Sequence, residues 1–397
     1  MTYMDQTKRT LWDRFITESP NCHVLQSWAW GELKRAFGWE PLRLGFWDPS
    51  FHHLVAAAQV LLRPIPLTGY SLAYVPKGPV MDWSDTALTQ SFFTALHSHL
   101  SKRRIAFLRI EPDLPEKIHL LSPERSVDLL DAACVAKPEA FFGGRYSVAQ
   151  SKKVTQQLEE LRFLHTCDHA QPLRTIAVDL TPDEATIVLR QTRSRRYNAN
   201  LAARKGVTIR LASSLDDVRR WYNLLEITRE RNRFVGHPFS YYQRAWEALT
   251  AANQVQVFLA EHAGKLLAGA FVTLVGNQST YLYGASSNEA RNLKPNDLLQ
   301  REAMCWAKAQ GAAFYDMWGI ADTDDPSDPQ AGYTSFKQGW GGQVIEYVGS
   351  FDYVYSPTAY QAFLVGKKLL KSLVTARASL RQKRGTSKRS RQPPNEK

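Results

Sequence analysis

Apolar positions recur along this chain at two spacings, one helical and one strand-like. Leu11, Trp12, Phe15 and Ile16 fall at helical spacing and stop before Pro20, which predicts a first helix. A second short helix is predicted from Ser27 to Phe37, ended by Gly38, and a strand from Trp39 to Phe46 before the turn residues Asp48 and Pro49. Leu54 to Leu62 is an apolar run fit for a buried strand, and Tyr70 to Val75 a second one after the turn at Pro64–Gly69. Ser84 and Asp85 can cap a helix running to about Arg103, and Ile105 to Ile110 is a buried strand closed by Glu111 and Pro112. The order is strand, strand, helix, strand.

The second half repeats that order. Val255–Glu261 and Lys265–Val275 flank the hairpin turn His262-Ala263-Gly264, and Gly276-Asn277 leads into a strand at Thr280–Gly284. Pro295 opens a helix that stops at Gly311, and Ala313–Trp318 is the closing strand. One α/β unit used twice accounts for the pattern. Between the copies lie a strand at Thr175–Leu180, a helix from Pro182 to about Arg204, a strand at Val207–Leu211 and a helix from Ser214 to Arg233. Residues 113–171 mix Pro, Gly and charge with short helical patches, and the domain junction is placed near 170. After Pro357, Tyr360, Phe363, Leu364, Leu370, Leu373 and Val374 make one apolar helix face with Lys367, Lys368 and Lys371 beside it. That suits a membrane-surface element or a terminal helix packed on the body.

Length and charge sharpen this picture. At roughly 100–200 residues per domain, 397 residues predict two domains, and a hydrophobic fraction of 44% is enough to bury their cores. Four cysteines without a C-x-x-C exclude a disulfide framework and a cysteine-rich zinc module. The N-terminus lacks a signal-peptide h-region and the longest apolar stretch, Leu266–Val275, is too short to cross a bilayer. These features predict a soluble, cytoplasmic protein. Of the net +12, residues 367–397 carry 11 bases and one acid, or +10, which leaves about +2 for the other 366 residues. The basic arm, disordered from about 381 to 397, is suited to nucleic acid or an anionic membrane.

The chemistry is not advertised by a familiar signature. G-x-S-x-G, H-E-x-x-H and G-x-x-x-x-G-K-[ST] are all missing. His165, Cys167, Asp168 and His169 crowd together, but no second cluster completes a zinc site. Asp322, Asp324, Asp325 and Asp328 share a loop that lacks the glycine and glutamate of a calcium loop. No metal is expected. Two segments do suggest chemistry. In Tyr333–Gln343, glycines at 339, 341 and 342 allow close backbone approach to a ligand, and Lys337 beside Phe336 suits a phosphate or a developing oxyanion. In Gln26–Lys34, Lys34 shares a short helix with Trp28 and Trp30, whose rings cover apolar surface or stack on sugars and bases.

Taken together, QSWAWGELK (26–34), YVPKGPVMD (74–82), FLRIEP (107–112), TIAVDL (175–180), RYNANLAARKGV (196–207), TRERNRF with the following YY (228–242), YLYGASSNEARNL (281–293), YDMWGI (315–320) and FKQGWGG (336–342) resemble the FemABX family of aminoacyl-tRNA-dependent peptidoglycan-bridge transferases. The resemblance covers about residues 20–112 and 172–360. It implies an α/β fold of two tandem GNAT-like domains, mixed sheets flanked by helices, with domain 1 over 1–170 plus about 345–380 and domain 2 over 171–344. Without a heptad run in the second half, the long coiled-coil arm of many members is not expected. The implied reaction is attack by the side-chain amine of a stem peptide, on lipid II or UDP-MurNAc-pentapeptide, on the ester of an aminoacyl-tRNA, a co-substrate that takes the place of any cofactor. By the same resemblance Lys337 stabilises the oxyanion or the terminal phosphate and Phe336 lines the donor channel. Lys34 meets the acceptor pyrophosphate, with Trp28, Tyr241, Tyr281 and Tyr283 in the substrate site. The family's phosphate-binding arginine falls on His237, for which Arg204 or Lys205 compensates unless acceptor geometry differs. The proton acceptor is Glu111 or a substrate phosphate.

Two alternatives compete. An acetyl-CoA-dependent N-acetyltransferase needs a pyrophosphate cradle at a helix N-terminus, which Gln338–Gln343 nearly spells. A non-catalytic protein binding RNA or membrane through the basic arm would need no pocket. A monomer is expected, peripheral at the inner face of the plasma membrane if the basic arm engages it.

Overall fold

The computed structural model describes residues 1–121, 147–232, 234–369 and 372. The first half runs through β1 (Thr2–Tyr3), α1 (Arg9–Glu18), α2 (Trp28–Arg35), β2 (Glu40–Trp47), β3 (Leu54–Ile65), β4 (Tyr70–Pro76), β5 (Val80–Met81), α3 (Thr86–Leu100), β6 (Ile105–Glu111), β7 (Pro115–Leu120), α4 (Val148–Glu160) and β8 (Leu164–Thr166). The second continues with β9 (Arg174–Asp179), α5 (Glu184–Leu189), α6 (Arg193–Arg204), β10 (Thr208–Leu211), α7 (Leu215–Asn232), α8 (Phe239–Thr250), β11 (Val255–His262), β12 (Lys265–Val275), β13 (Gln278–Ser286), α9 (Pro295–Ala309), β14 (Phe314–Gly319), α10 (Ala331–Gln338), β15 (Gln343–Tyr347) and β16 (Ser350–Val354). A terminal helix, α11, covers 357–369.

Local chemistry explains several boundaries. Ser27 accepts from Trp30 N at 3.2 Å and starts α2, and Asp85 accepts from Leu88 N at 2.8 Å and starts α3. Pro295 opens α9, and Gly311, at φ 88°, follows its end. The helix expected from Pro182 to Arg204 is instead two. It breaks at Arg190–Thr192, where Thr192 N donates to Gly339 O at 2.9 Å, so a contact with the segment before β15 outweighs continuous helix.

The repeated unit is present. β3 and β4 pair antiparallel and β4 and β6 parallel, with α3 as the crossover. β12 and β13 pair antiparallel and β13 and β14 parallel, with α9 as the crossover. The sheets are β1-β2-β3-β4-β6-β16-β8, with β5 on β3, and β10-β11-β12-β13-β14-β9-β15-β7. The chain exchanges strands between them. β7 lies within the span 1–170 expected for the first domain yet pairs with β15 of the second sheet, and 343–347 belongs wholly to that sheet. β8 and β16 complete the first sheet beside β6.

Each sheet has its own core. One contains Phe92, Phe93 and Leu96 of α3, the other Leu299, Ala303 and Met304 of α9. A third cluster joins the halves: Trp12, Ile16 and Trp28 pack with Trp221, Tyr241, Tyr242 and Phe271. Here α2 meets α8. The apolar face expected of the C-terminal helix is occupied, because Tyr360 and Phe363 pack on Phe107 with ring centroids 4.9 Å apart in both pairs. Leu370, Leu373, Val374 and the arm 381–397 lie outside the described residues. Among the described residues no helix is long and apolar enough to cross a membrane.

Candidate active site

A buried polar lattice sets the position of α2. The Gln26 amide donates to Pro76 O at 2.6 Å and accepts from Gln59 N at 2.8 Å. Gln59 donates to Leu25 O and Ser27 O at 3.1 and 3.0 Å, and accepts from Arg43 Nε at 3.0 Å. Arg43 Nη2 donates to Trp28 O at 3.0 Å and Glu32 Oε1 at 2.9 Å, while its guanidinium lies 3.7 Å over the Trp28 ring. Trp28 is thus a buried support under α2.

Fixed this way, α2 aims Lys34 at α8. Lys34 Nζ donates to Tyr241 Oη at 3.0 Å and lies 4.8 Å from the Trp30 ring. His237 stacks on Tyr241 at 3.8 Å with 17° between the planes, and Tyr241 Oη is 3.4 Å from Tyr283 Oη. Burial, with Arg63 adding to it, lowers Lys34 to about 8. Burial and then the charge of Lys34 lower His237. Burial raises Tyr241 to about 12, and Tyr283 well above its ordinary value. One ammonium, one imidazole and two phenols therefore converge from both halves of the chain, a donor-rich set matched to phosphate oxygens.

Tyr281 and Tyr283 differ by two positions, so an unbroken strand would put them on one face. A bulge in β13 opposite Phe271/Val272 separates them. Tyr283 joins the interface cluster near Lys34, and Tyr281 joins the core over α9. Lys337 lies 5.7 Å from the Tyr281 ring. It sits in the last turn of α10, where the sequence pattern predicted no helix, and donates to Gly319 O at 2.7 Å and Trp318 O at 3.3 Å. Burial lowers its ammonium to about 7, against the opposing charge of Asp316. Phe336 packs on Trp340, with the Arg195 guanidinium 4.9 Å over its ring.

The sequence profile of the FemAB family matches residues 7–263 and 248–368. The chain belongs to the FemAB family. A lipid II:glycine glycyltransferase of Staphylococcus saprophyticus is 24% identical over 411 residues, spanning 88% of this chain and 92% of its own. The enzyme of the same name from Staphylococcus aureus strain RF122 is 23% identical over 445 residues, spanning 94% and 97%. The crystal structure of FemX superposes with a TM-score of 0.76 at 23% identity, over 91% of this chain and 99% of that one. Its likeness supports the FemAB fold of two sheets flanked by helices.

The other expected site residues of this FemAB protein stand elsewhere. Glu111 is buried and accepts from Ala170 N at 2.6 Å, Ser350 Oγ at 2.8 Å and Tyr74 Oη, a clamp where the two halves join. Arg204 is exposed at the end of α6, and among the described residues no hydrogen bond or ion pair links it to Lys34, His237 or Tyr241. The glycines after Lys337 have a different reason from the one expected. A Cβ on Gly342 would stand 2.2 Å from Ala177 O, and one on Gly341 2.6 Å from Arg190 O. They let the chain pass its own backbone rather than a ligand. The histidine-cysteine run is dispersed among separate partners: His165 bonds Val348 O, His169 bonds Ser350 Oγ, and Asp168 pairs with Arg109 and Lys367. Sequence reasoning passed over Lys77, Asp113 and Asp316. The available signal was a charge inside a conspicuously apolar run, YDMWGI for Asp316 and YVPKGPVMD for Lys77.

Proposed function

We propose that this FemAB protein is an aminoacyltransferase that moves an amino acid from aminoacyl-tRNA to the side-chain amine of a peptidoglycan stem peptide carried on lipid II or a UDP-linked precursor. The observation that carries this reading is the 3.0 Å bond between Lys34 of α2 and Tyr241 of α8, with His237 and Tyr283 beside it. It forms a cationic, phenol-lined seat across the two halves, suited to the acceptor's phosphates. The relatives named lipid II:glycine glycyltransferase support lipid II as the acceptor class.

In this reading the amine nitrogen attacks the ester carbonyl, an amide forms, and the bond to the tRNA 3′ oxygen breaks. An ammonium has three N–H donors. Two on Lys337 are committed to Trp318 O and Gly319 O. The third is assigned to the developing oxyanion, where a pre-set donor is most effective. Three donors already occupy Glu111, which favours an acceptor phosphate as the proton's destination. Acetyl-CoA chemistry is disfavoured by geometry: Gln338–Gln343 runs from the last residue of α10 to the first of β15, so it opens no helix N-terminus.

The test is incubation of the full chain with a pool of charged tRNAs and lipid-linked precursor, read by mass. A single added residue on the stem peptide is the expected product, and no product, or acetylation alone when acetyl-CoA is added, refutes the reading. In the same assay Lys337→Ala is expected to lower turnover ~10²–10³-fold while thermal unfolding stays cooperative. Turnover above half of wild type removes Lys337 from the chemistry.

A further inference from the structure

We infer that Asp316 is the positioning residue for Lys337: its carboxylate shapes the turn whose carbonyls hold the lysine and supplies the countercharge that faces it. This rests on Lys337 acting as the cation of the transfer site.

The geometry begins in β14. Its pairing with β9 holds to Asp316 opposite Ala177, breaks, and resumes at Gly319 opposite Thr175. Inside the break Trp318 is left-handed, with φ 62°, a conformation a tryptophan adopts only when its surroundings impose it. Asp316 imposes it. Its Oδ1 accepts from Trp318 N at 2.7 Å and from the Thr175 hydroxyl. The side chain thereby closes a turn on its own backbone two residues on. The carbonyls of Trp318 and Gly319 are the two that receive the Lys337 ammonium.

Charge follows the same line. Facing Lys337 are Asp316 from β14, the Tyr281 ring from β13 and, at 5.1 Å, the Tyr333 ring of its own helix. Behind Asp316 stand Lys77 and Asp113, which pair at 3.0 Å, with the Lys77 ammonium 3.0 Å from the Tyr347 ring. Asp113, Lys77, Asp316 and Lys337 alternate in sign across the junction of the halves. Burial drives Lys337 toward the neutral amine and raises Asp316 as well; the Thr175 hydroxyl and Trp318 N favour the Asp316 carboxylate, the charge that opposes loss of the ammonium. A neutral amine would be a poor partner for an oxyanion. Removing the Asp316 charge lowers the lysine's proton affinity further, so the loss of the ammonium moves to lower pH.

The experiment is Asp316→Asn in the full chain. The amide oxygen can still accept from Trp318 N, so shape is kept while charge is lost. The expected result is a 10- to 100-fold fall in kcat, acceptor KM within twofold of wild type, and a basic limb of the kcat–pH profile displaced to lower pH. Combined with Lys337→Met, Asp316→Asn should add less than a twofold loss, because the two act as one unit. A kcat within threefold, an unmoved limb, or fully additive losses overturns the inference. Should Asp316→Asn fail to fold, Thr175→Val carries the test, since loss of its hydroxyl weakens the carboxylate and should move the same limb the same way; an unmoved limb there also overturns it. Labelling of Lys337 by a small amine-reactive ester, followed against pH by peptide mass, separates the two readings. A midpoint that drops in Asp316→Asn supports the contact even if Lys337→Met stays active, an outcome that would instead sink the role of Lys337.

Discussion

Lys34 and Lys337 are both ammonium groups drawn out of water, and their surroundings compensate them differently. Lys337 has two carbonyls and a facing carboxylate, whereas Lys34 has a phenol oxygen and two aromatic rings. Lys34 is therefore the more dependent on an incoming anion. With its ammonium lowered to about 8, Lys34 is charged below that pH and loses its proton as pH rises through it. His237 sits below its ordinary value and is largely neutral at pH 7. Acceptor binding measured directly as Kd, a step that does not use the Lys337 ammonium, is thus expected to be level near pH 7 and to weaken above about pH 8. Lys34→Ala should raise acceptor KM far more than donor KM, and Lys34→Arg should carry the level region to higher pH. A profile level to pH 9.5 in wild type would remove the Lys34 charge from acceptor binding.

At the scale of elements, the site exists because α2 and α8 precede equivalent strands in the two halves and pack on one another. The precision of that contact depends on Gly31. A Cβ there would lie 2.2 Å from Gln59 Oε1 and 2.3 Å from Arg43 Nη2, both pinned by other bonds. In a helix, alanine normally gains about 1 kcal/mol over glycine. Here overpacking, at ~1–3 kcal/mol, and disturbed buried hydrogen bonds oppose that gain. Gly31→Ala is expected to lower the urea midpoint and raise acceptor KM as α2 tips. A stabilised variant with normal KM would show that the lattice yields freely and does not set Lys34. The β13 bulge works at the same level: one extra residue, Leu282, divides Tyr281 and Tyr283 between the two parts of the site.

Across the whole molecule, strand exchange ties the halves together and α11 is fastened to the first. Tyr360 Oη donates to Asp352 at 2.9 Å, and Lys367 pairs with Asp168. Asp352 and Asp168 are in turn held by Arg109, at 2.7 Å each. The membrane-surface reading that the sequence offers for this end accordingly rests on the outward side chains Val365 and Leu369, 57% and 61% exposed, and on the bases that follow. Near an anionic surface each base contributes ~1 kcal/mol, within a Debye length. Truncation after Thr375 is expected to weaken binding to anionic vesicles while KM for charged tRNA, measured with a soluble acceptor fragment, stays within about twofold. Surviving vesicle binding with a tenfold rise in tRNA KM would make the segment an RNA arm.

The sequence by itself determined the repeated α/β unit, because buried strands such as Ile105–Glu111 and Lys265–Val275 are near-continuous apolar runs and the helices carry their own start signals, the N-cap Asp85 and Pro295 in the first turn. It also named Lys34, His237, Tyr241 and Tyr283 as candidates for an acceptor site, through the family resemblance of the motifs that hold them. It was silent on β7, β8, α4, α8, α10, β15 and β16, whose short or mixed patterns acquire a face only from the sheet or helix they meet. Tertiary structure decided which of the named residues converge. Lys34 and Tyr241 are separated by 207 positions, and only the packing of α2 on α8 joins them. It also made Trp28 a support, Glu111 a clamp and the glycines at 341 and 342 a backbone crossing. Residue type limits the chemistry a side chain can do; burial, charge and register, which belong to the folded chain, select among those options.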